Sequence, residues 1–323
     1  TWYGMGNREG AAQLSMVLIL IAVVLVALER RSRGGAHFAI ASNLRYVAEP
    51  VQLSLPAGLA ALAACALPIL LGFVVPTAHL AQLALSSGVL LTDRRFIGDA
   101  FNSLILATVA AAIIVGLAVF LSYAGRLVRR RLLHRTIAFA SLGYAIPGAV
   151  IAVGVLLPLA FADHGLDLLS RQVLGVPTGL LLSGTAFALV VAYTVRFLAV
   201  GLANVAPGLA AIDPAMDASA RILGARPRDV LWRIHLPMLR APVLTAGIVA
   251  FVEVLKELPA TLLIRPFNFD TLAIGVYRFA SDERLAQAAV GSILIVTVSL
   301  APVILLSRTV AASGRSTSSP PGP

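Results

Sequence analysis

Seven long apolar stretches dominate this sequence of 323 residues and restrict what it can fold into. A helix needs about 20 mainly apolar residues to cross the hydrocarbon core of a bilayer. A transmembrane β-barrel would show short segments of alternating hydrophobicity instead. With 59% hydrophobic and 12% charged residues, an ordinary water-soluble domain is also excluded. The pattern predicts an all-α integral membrane protein with spans near 11–28, 56–75, 101–123, 137–161, 178–205, 241–264 and 285–306.

The arginines between these stretches predict the orientation of the chain. Segments 29–55, 124–136, 206–240 and 307–323 carry four, five, five and two arginines, whereas the four alternate segments carry seven in total. Because basic residues accumulate on the cytoplasmic side, the first set is predicted to be cytoplasmic. We interpret the densest cluster as a topology anchor beside anionic lipid headgroups rather than a nucleic-acid site; it consists of Arg126, Arg129, Arg130, Arg131 and Arg135.

Metal, redox and catalytic patterns are absent from the sequence. The single cysteine, Cys65, lies in an apolar stretch, so neither a disulfide framework nor a Cys/His metal site is predicted. The five histidines are scattered without the spacing of metal ligands, and we expect them to be solvated. No cofactor and no enzyme active site is expected. The histidines are His37, His79, His134, His164 and His235.

An internal repeat relates the beginning of the chain to its end. Residues 3–21 align without gaps on residues 277–295, with identical Tyr, Glu and Gln residues in one register. The alternative is a chance similarity between two membrane helices. A real repeat would indicate a protein with two tandem six-helix copies. The predicted organisation is the last helix of an upstream copy at 1–28, a cytoplasmic linker at 29–55, a six-helix domain at 56–310 and a disordered tail at 311–323.

The long loop 206–240 carries helix start and stop signals. Asp213 before Pro214 predicts a helix start, because Asp caps free N–H groups and Pro fits the first turn. Gly224 predicts the end of that helix, and Pro227 the start of a second. Leu236-Pro237 is expected to end the second helix. The pattern fits docking to a protein partner, or an amphipathic hairpin lying on the membrane surface.

The loop resembles the EAA loop of importer-type ABC-transporter permeases, whose pattern is Glu-Ala-Ala, three residues, Gly, nine residues, Ile, one residue and Leu-Pro. Ala218 stands at the glutamate position, and Asp217 precedes it by one residue, a shift of about 100° around a helix. The resemblance implies that the ATPase-coupling residues are Asp217, Ala218, Ser219, Ala220, Gly224, Ile234, Leu236 and Pro237.

This resemblance extends from residue 102 to about residue 306. It implies a six-helix permease core, here preceded by one further helix, in a bacterial inner membrane. In this family a separate cytoplasmic ATPase, expected as a dimer, drives alternating access, and a periplasmic or extracellular binding protein delivers the solute. A second permease copy is expected in the same full-length chain. The sequence contains no G-x-x-x-x-G-K-[ST] motif of its own.

Four charged residues fall within predicted spans, where such residues are functional candidates. In the sixth predicted span, i,i+3 and i,i+4 spacing places Glu253, Lys256 and Glu257 on one helical face. Arg196 lies in the fifth span and requires a partner. These residues are expected either to form a structural ion pair or to line the translocation pathway or its gate.

The segment 256–266 resembles a stretch of ferric-iron importer permeases, and the tandem duplication also resembles that group. Iron(III) is therefore the preferred solute. Glu253 and Glu257 would offer hard oxygen atoms, although Lys256 beside them disfavours a tight cation site, so transient contact is expected. The alternatives are the same transporter type for thiamine, sulfate or a polyamine, or a membrane-embedded enzyme or channel.

Overall fold

The computed structural model describes residues 52–88, 94–128 and 130–315, together with helical backbone at residues 13, 16, 17, 20, 21, 24 and 28. The predictions for the linker, the repeat's first copy, most of the first span and the end of the tail lie outside the described residues, as do His37 and Arg129. All regular structure within the described ranges is helical, which confirms the predicted fold class.

Eleven helical elements follow one another from residue 55 onwards in the described chain. Five of them are long and apolar enough to cross a membrane, and the consecutive pair α7 and α8, which meet at 76°, would count as a sixth. The elements are α1 Leu55–Ser86, α2 Arg94–Leu127, α3 Arg131–Ala140, α4 Gly148–Val173, α5 Ala186–Ala210, α6 Pro214–Ile222, α7 Pro227–Met238, α8 Arg240–Leu255, α9 Pro259–Ile264, α10 Leu272–Ser281 and α11 Leu285–Arg315.

The predicted fourth span, 137–161, is divided between two helices. Helix α3 ends at Ala140, a 3₁₀ turn covers Gly143–Ala145, and Pro147 then caps α4. The residue before a proline is disfavoured in helical conformation, which explains why the helix does not continue through Ile146. The turn packs tightly on α5, because a Cβ at Gly143 would lie 2.1 Å from the carbonyl oxygen of Val195.

The predicted fifth span begins at Ala186 rather than near residue 178. The preceding residues form a loop that Asp163 of α4 fastens: its carboxylate accepts hydrogen bonds from the backbone N–H groups of Leu181, Leu182 and Ser183 at 2.8–3.0 Å. The Ser183 hydroxyl adds a fourth at 2.6 Å. Asp163 is 1% exposed, so these bonds satisfy a buried charge.

The predicted sixth span, 241–264, is also interrupted. Helix α8 ends at Leu255, and the short α9 begins only at Pro259. Proline has no N–H group to donate and suits the first turn of a new helix, so Pro259 favours a break here. The chain therefore passes through Lys256, Glu257 and Leu258 outside regular helix, and this break brings polar groups into the bundle.

Helices α2, α5 and α8 form the centre of the fold and pack closely on one another. Small residues dominate their contact: Ala107, Ala110, Ala192 and Ala250 are each 0% exposed. A Cβ at Gly201 would lie 3.0 Å from Ala118, so the backbones of α5 and α2 approach closely. Such small-residue contacts are typical of helices that associate in lipid.

Helices α10 and α11 pack together beside the beginning of α2, and α11 also packs on α1. Asn102 donates to the carbonyl oxygen of Asp270 at 3.0 Å, and Ser103 accepts from the backbone N–H of Leu272 at 2.8 Å. The Asp270 carboxylate pairs with Arg265 and with Arg278. These bonds fasten the end of the bundle opposite residues 206–240; that latter end is named the loop end below.

Candidate functional site

The first helix of the loop, α6, begins and ends as the sequence predicts. The Asp213 carboxylate accepts the backbone N–H of Ala215 at 2.8 Å, and Pro214 occupies the first turn. At the other end Gly224 has a φ of +78°, a left-handed conformation that suits glycine. Ala225 donates to the carbonyl of Ala220 and Gly224 to that of Arg221, both at 3.0 Å, which together form a Schellman cap.

The second loop helix, α7, begins at Pro227 as predicted but extends past its predicted end. A π-helical turn covers Leu231–His235, and Leu236 and Pro237 lie inside the last turn, which ends at Met238. The break follows at Leu239, which is 2% exposed, and α8 then departs at 76°. The loop and the sixth apolar stretch are therefore two arms joined at a buried corner.

Asp217 holds the loop to the end of α2. Its Oδ2 lies 2.6 Å from Nε of Arg126, and its Oδ1 lies 2.6 Å from Nε2 of His235. Arg126 uses its other nitrogens at the end of α5, donating to the carbonyl oxygens of Leu209 at 2.7 Å and Ile212 at 2.9 Å. One guanidinium thus connects three segments, and both carboxylate oxygens of Asp217 are bonded within the chain.

These contacts control the ionisation of Asp217. Burial by itself would raise the pKa of this carboxyl, but the hydrogen bonds from Arg126 and His235 outweigh burial and hold the pKa below its usual value of 3.8. The carboxylate is therefore charged at neutral pH, and its charge is compensated by the neighbouring guanidinium.

His235 and Arg126 depart from what the sequence predicts. His235 is 0% exposed rather than solvated, and the Tyr123 ring contacts it edge-on with centroids 5.4 Å apart. Tyr123 also donates to the carbonyl of Pro227 at 2.7 Å. Arg126 was expected only to anchor topology, yet it organises the loop. The sequence around Arg126 gives no hint of this role, because Asp217 lies 91 residues away in the chain.

The outward surface of the loop carries large apolar side chains. Ile222 is 85% exposed, Leu223 87% and Trp232 62%, although all three lie outside the five long spans. Ile222 and Leu223 are adjacent in the chain, and contiguous exposed apolar surface typically marks contact with a protein or a membrane. Of the predicted coupling residues, Ala218, Ser219, Gly224 and Pro237 are exposed, Ile234, Leu236 and Asp217 are half-buried, and Ala220 is buried.

A second polar site lies at the break between α8 and α9. Glu257 is 6% exposed, and its Oε2 lies 3.4 Å from Nε of Arg196 on α5. Its Oε1 accepts the backbone N–H of Ala260 at 3.1 Å, at the beginning of α9. Arg196 therefore has the partner that its position in an apolar helix requires. Burial and pairing together favour a fixed position for this carboxylate.

Three further residues, not singled out from the sequence, complete this second site. The Tyr193 hydroxyl lies 2.6 Å from that of Thr261, which donates to the Glu257 carbonyl at 2.6 Å. A Cβ at Gly148 would lie 2.2 Å from Nη1 of Arg196 and 2.6 Å from Oε1 of Glu257. Tyr193 precedes Arg196 by three residues on one helix face, and this spacing is the sequence signal that could have revealed it.

Glu253 and Lys256 form a separate and more exposed pair. Nζ of Lys256 lies 2.8 Å from Oε1 of Glu253, and the two side chains are 55% and 18% exposed. The prediction that Glu257 shares their helical face is wrong, because α8 ends at Leu255 and Glu257 instead contacts Arg196. The break in the helix, not helical spacing, decides which charges meet.

An open cavity of about 1000 Å³ extends from Arg126 to the turn that precedes α4. Its lining follows α5 from Ala199 to Ala210, roughly 16 Å along the helix at 1.5 Å per residue. Arg126 lines it at the loop end, and Tyr144 lines it near the turn that precedes α4. The Tyr144 ring lies 6.2 Å from that of Phe197, the residue next to Arg196. The described residues contain no group of three His, Cys, Asp or Glu side chains that could hold a metal ion.

Residues 122–312 match the family described as "Binding-protein-dependent transport system inner membrane component". Among curated proteins, the Fe(3+)-transport system permease protein FbpB 2 of Haemophilus influenzae is 26% identical over 213 residues, covering 66% of this chain and 39% of that protein. The putative 2-aminoethylphosphonate transport system permease protein PhnV of Salmonella typhimurium is 27% identical over 164 residues, covering 51% and 56%. The chain thus spans less than two thirds of the length of either relative.

A solved structure supports the fold. A bacterial ABC transporter involved in the import of the acidic polysaccharide alginate superimposes with a TM-score of 0.63 at 16% identity, covering 81% of this chain and 96% of that chain. The family match confirms the predicted resemblance to transport-system permeases and the predicted location in the inner membrane. It also confirms the prediction that the chain is a transport component and not itself an enzyme.

Proposed function

This chain belongs to the family of binding-protein-dependent transport system inner membrane components, and we propose that it forms a permease unit of an ATP-driven importer. The observation that carries the proposal is the two-helix loop. Its inner side is fastened by Asp217, while Ile222, Leu223 and Trp232 on its outer side stay exposed. A loop that is fastened to the helix bundle on one side and exposes apolar side chains on the other can bind a partner protein and transmit its movement.

The partner at this loop is a cytoplasmic ATPase subunit, expected as a dimer. In this arrangement the ATPase closes on ATP, moves the loop helices and changes the access of the pathway between the two sides of the membrane. A substrate-binding protein delivers the solute on the outer side, and a second permease copy, expected in the same full-length chain, supplies the other half of the pathway.

Docking is tested by placing a charge on the exposed surface. Leu223→Asp should abolish co-purification of the ATPase subunit in detergent, because a carboxylate would enter an apolar interface. The matched control is Phe267→Asp. The Phe267 side chain is fully exposed at the opposite end of the bundle, so this variant should retain the ATPase. An intact complex with Leu223→Asp, or with residues 213–237 deleted, would remove this loop as the docking site.

The solute that we propose is iron(III). Support comes from the resemblance of segment 256–266 to ferric importer permeases and from the similarity to the Haemophilus influenzae ferric permease. The similarity to a 2-aminoethylphosphonate permease keeps that solute in the test. Since Glu257 is paired with Arg196 and Glu253 with Lys256, iron would make transient contact here rather than bind tightly.

We assign Arg196, Glu253, Lys256 and Glu257 to the pathway or its gate. The support is that the break between α8 and α9 brings Glu257 to Arg196, and that Glu253 and Lys256 pair just before Glu257. Interrupted helices are positions where membrane transporters commonly bind or gate solutes. The cavity that runs from Arg126 toward Tyr144 provides space on the loop side of this break.

Uptake of radiolabelled iron in cells with and without the full-length gene tests the solute. Uptake of thiamine, sulfate and 2-aminoethylphosphonate is measured in parallel. Loss of iron uptake alone would support the proposal. Unchanged iron uptake with loss of another solute would retain the importer and discard iron.

A further inference from the structure

We propose that Arg126, Asp217 and His235 form a transmission joint that converts movement of the loop into movement of the central spans. The inference rests on the importer function proposed above and goes beyond docking. It concerns how the loop is connected to the bundle, whereas docking concerns the opposite face of the same loop.

The joint connects the ends of α2 and α5 with both loop helices. Arg126 lies at the end of α2, its carbonyl partners Leu209 and Ile212 lie at and just beyond the end of α5, and Asp217 lies on the first loop helix. Asp217 in turn binds His235 on the second loop helix at 2.6 Å. Tyr123, one turn before Arg126, contacts the His235 ring and the Pro227 carbonyl.

The geometry of the joint makes it stiff. The Arg126 and Asp217 side chains are 15% and 13% exposed, so water screens their attraction little. The guanidinium is planar and donates in three directions at once, which fixes the relative positions of its partners. A displacement of α6 therefore pulls on the ends of both α2 and α5, two of the helices that line the cavity.

The arrangement also explains the departure at the glutamate position of the loop pattern. Ala218, which is exposed, carries no charge, while Asp217 one residue earlier turns inward to the bundle. In this chain Asp217 therefore acts as a positioning residue within the permease and not as a contact for the ATPase.

A coupling measurement tests the joint in the full-length protein reconstituted with its ATPase and binding protein. Asp217→Asn and Arg126→Gln should each lower the solute transported per ATP hydrolysed by tenfold or more while ATPase co-purification stays within twofold of wild type. Because both act on one contact, the double variant should be no worse than the poorer single variant. The control is Asp229→Asn, on the same loop, whose carboxylate accepts a hydrogen bond from the backbone of Arg226.

Conservative replacement separates positioning from general support of the fold. His235→Gln can still donate from a side-chain amide to Asp217 and should restore at least half of the coupling that His235→Leu loses. If Asp217→Asn is not recovered from the membrane, Arg126→Lys decides, since one ammonium cannot span Asp217, Leu209 and Ile212.

Two results would overturn the proposal. Normal coupling in Asp217→Asn or Arg126→Lys would show that the joint transmits nothing. Loss of the ATPase subunit from Asp217→Asn would mean that Asp217 contacts the partner directly. Both results differ from failure of the proposed function, in which the wild-type protein itself would retain no ATPase and transport no solute.

Discussion

Arg196 of α5 and Glu257, at the break between α8 and α9, form a largely buried ion pair, with Nε of the arginine 3.4 Å from Oε2 of the glutamate. The same carboxylate accepts the N–H of Ala260 through its other oxygen. One side chain therefore both neutralises a charge inside an apolar bundle and begins the next helix. Its replacement should affect transport and local structure together.

Glu257→Gln should lower the rate of uptake by at least tenfold. The amide still reaches Ala260 but leaves the Arg196 charge uncompensated, and removing one partner of a buried pair typically costs about 3–5 kcal/mol. Uptake and ATPase co-purification are measured on the same membranes. Glu253→Gln should have a smaller effect, because its partner Lys256 is 55% exposed.

Asp282→Asn serves as the control for Glu257→Gln, since it removes an exposed carboxylate between α10 and α11. This variant should transport normally. Equal loss of uptake and of ATPase co-purification in Glu257→Gln would contradict a role in the pathway and assign the residue to folding.

Gly224→Val should insert into the membrane and yet uncouple ATP hydrolysis from uptake. The φ of +78° at Gly224 is strained for a β-branched residue by about 1–2 kcal/mol, so the turn between the loop helices should change shape. Apart from the chain neighbours, no atom lies within 4 Å of a Cβ built there, so the expected strain comes from the backbone conformation and not from crowding of the Cβ. ATP hydrolysis and uptake in reconstituted vesicles provide the measurement.

The comparison variant is Gly224→Asn, because asparagine tolerates the left-handed conformation. It should retain most of the coupling. If valine and asparagine behaved alike, whether both normal or both uncoupled, the backbone conformation of this turn would not be what matters.

The pH dependence of stability should reveal the Asp217 contacts. Since the pKa of Asp217 is held below 3.8, its stabilising contribution is fully present above pH 3.8 and is lost as the pH falls through the lowered value. Wild type and Asp217→Asn should differ in free energy of unfolding by about 1.5–3 kcal/mol, the typical contribution of hydrogen bonds to a charged group. This difference should not shrink between pH 7 and roughly pH 5. A difference that disappears near pH 6 would contradict this assignment.

Asp163→Ala should destabilise the protein without changing which solute it transports. Four donors of residues 181–183 would lose their acceptor, at a cost of at least about 3 kcal/mol. Thermal unfolding in detergent measures the loss. The adjacent His164 is exposed, so His164→Ala should remain within about 0.5 kcal/mol of wild type. A change in solute preference without loss of stability would place Asp163 in the pathway.

Local signals in the sequence predicted the loop helices well. Asp213, Pro214, Gly224 and Pro227 act through the backbone of their own neighbourhood, so each start or stop follows from the residue type at that position. The apolar stretches likewise predicted the fold class. The sequence did not predict the interruptions of these stretches. Residues 141–147 are mostly apolar, and residues 256–258 are too few to change the hydropathy of the stretch around them.

Contacts between distant segments could not be predicted in the same way. His235 looked solvated because its loop is polar overall, yet Tyr123 and Asp217 enclose it. Glu257 seemed to belong with Glu253, but the helix ends between them and directs it to Arg196. In each case the partner lies on another helix, and its position depends on how the bundle packs.

The buried corner at Leu239 makes the second loop helix a lever arm. Helix α7, Pro227–Met238, is about 18 Å long at 1.5 Å per residue, and it meets α8 at 76°. A rotation of about 10° around this fulcrum would move the far end of the arm by roughly 3 Å, given that helix length. The large displacement would occur at the far end of α7, on the surface where a partner can act. The displacement near Leu239, beside the tightly packed side chains of α8, would be small.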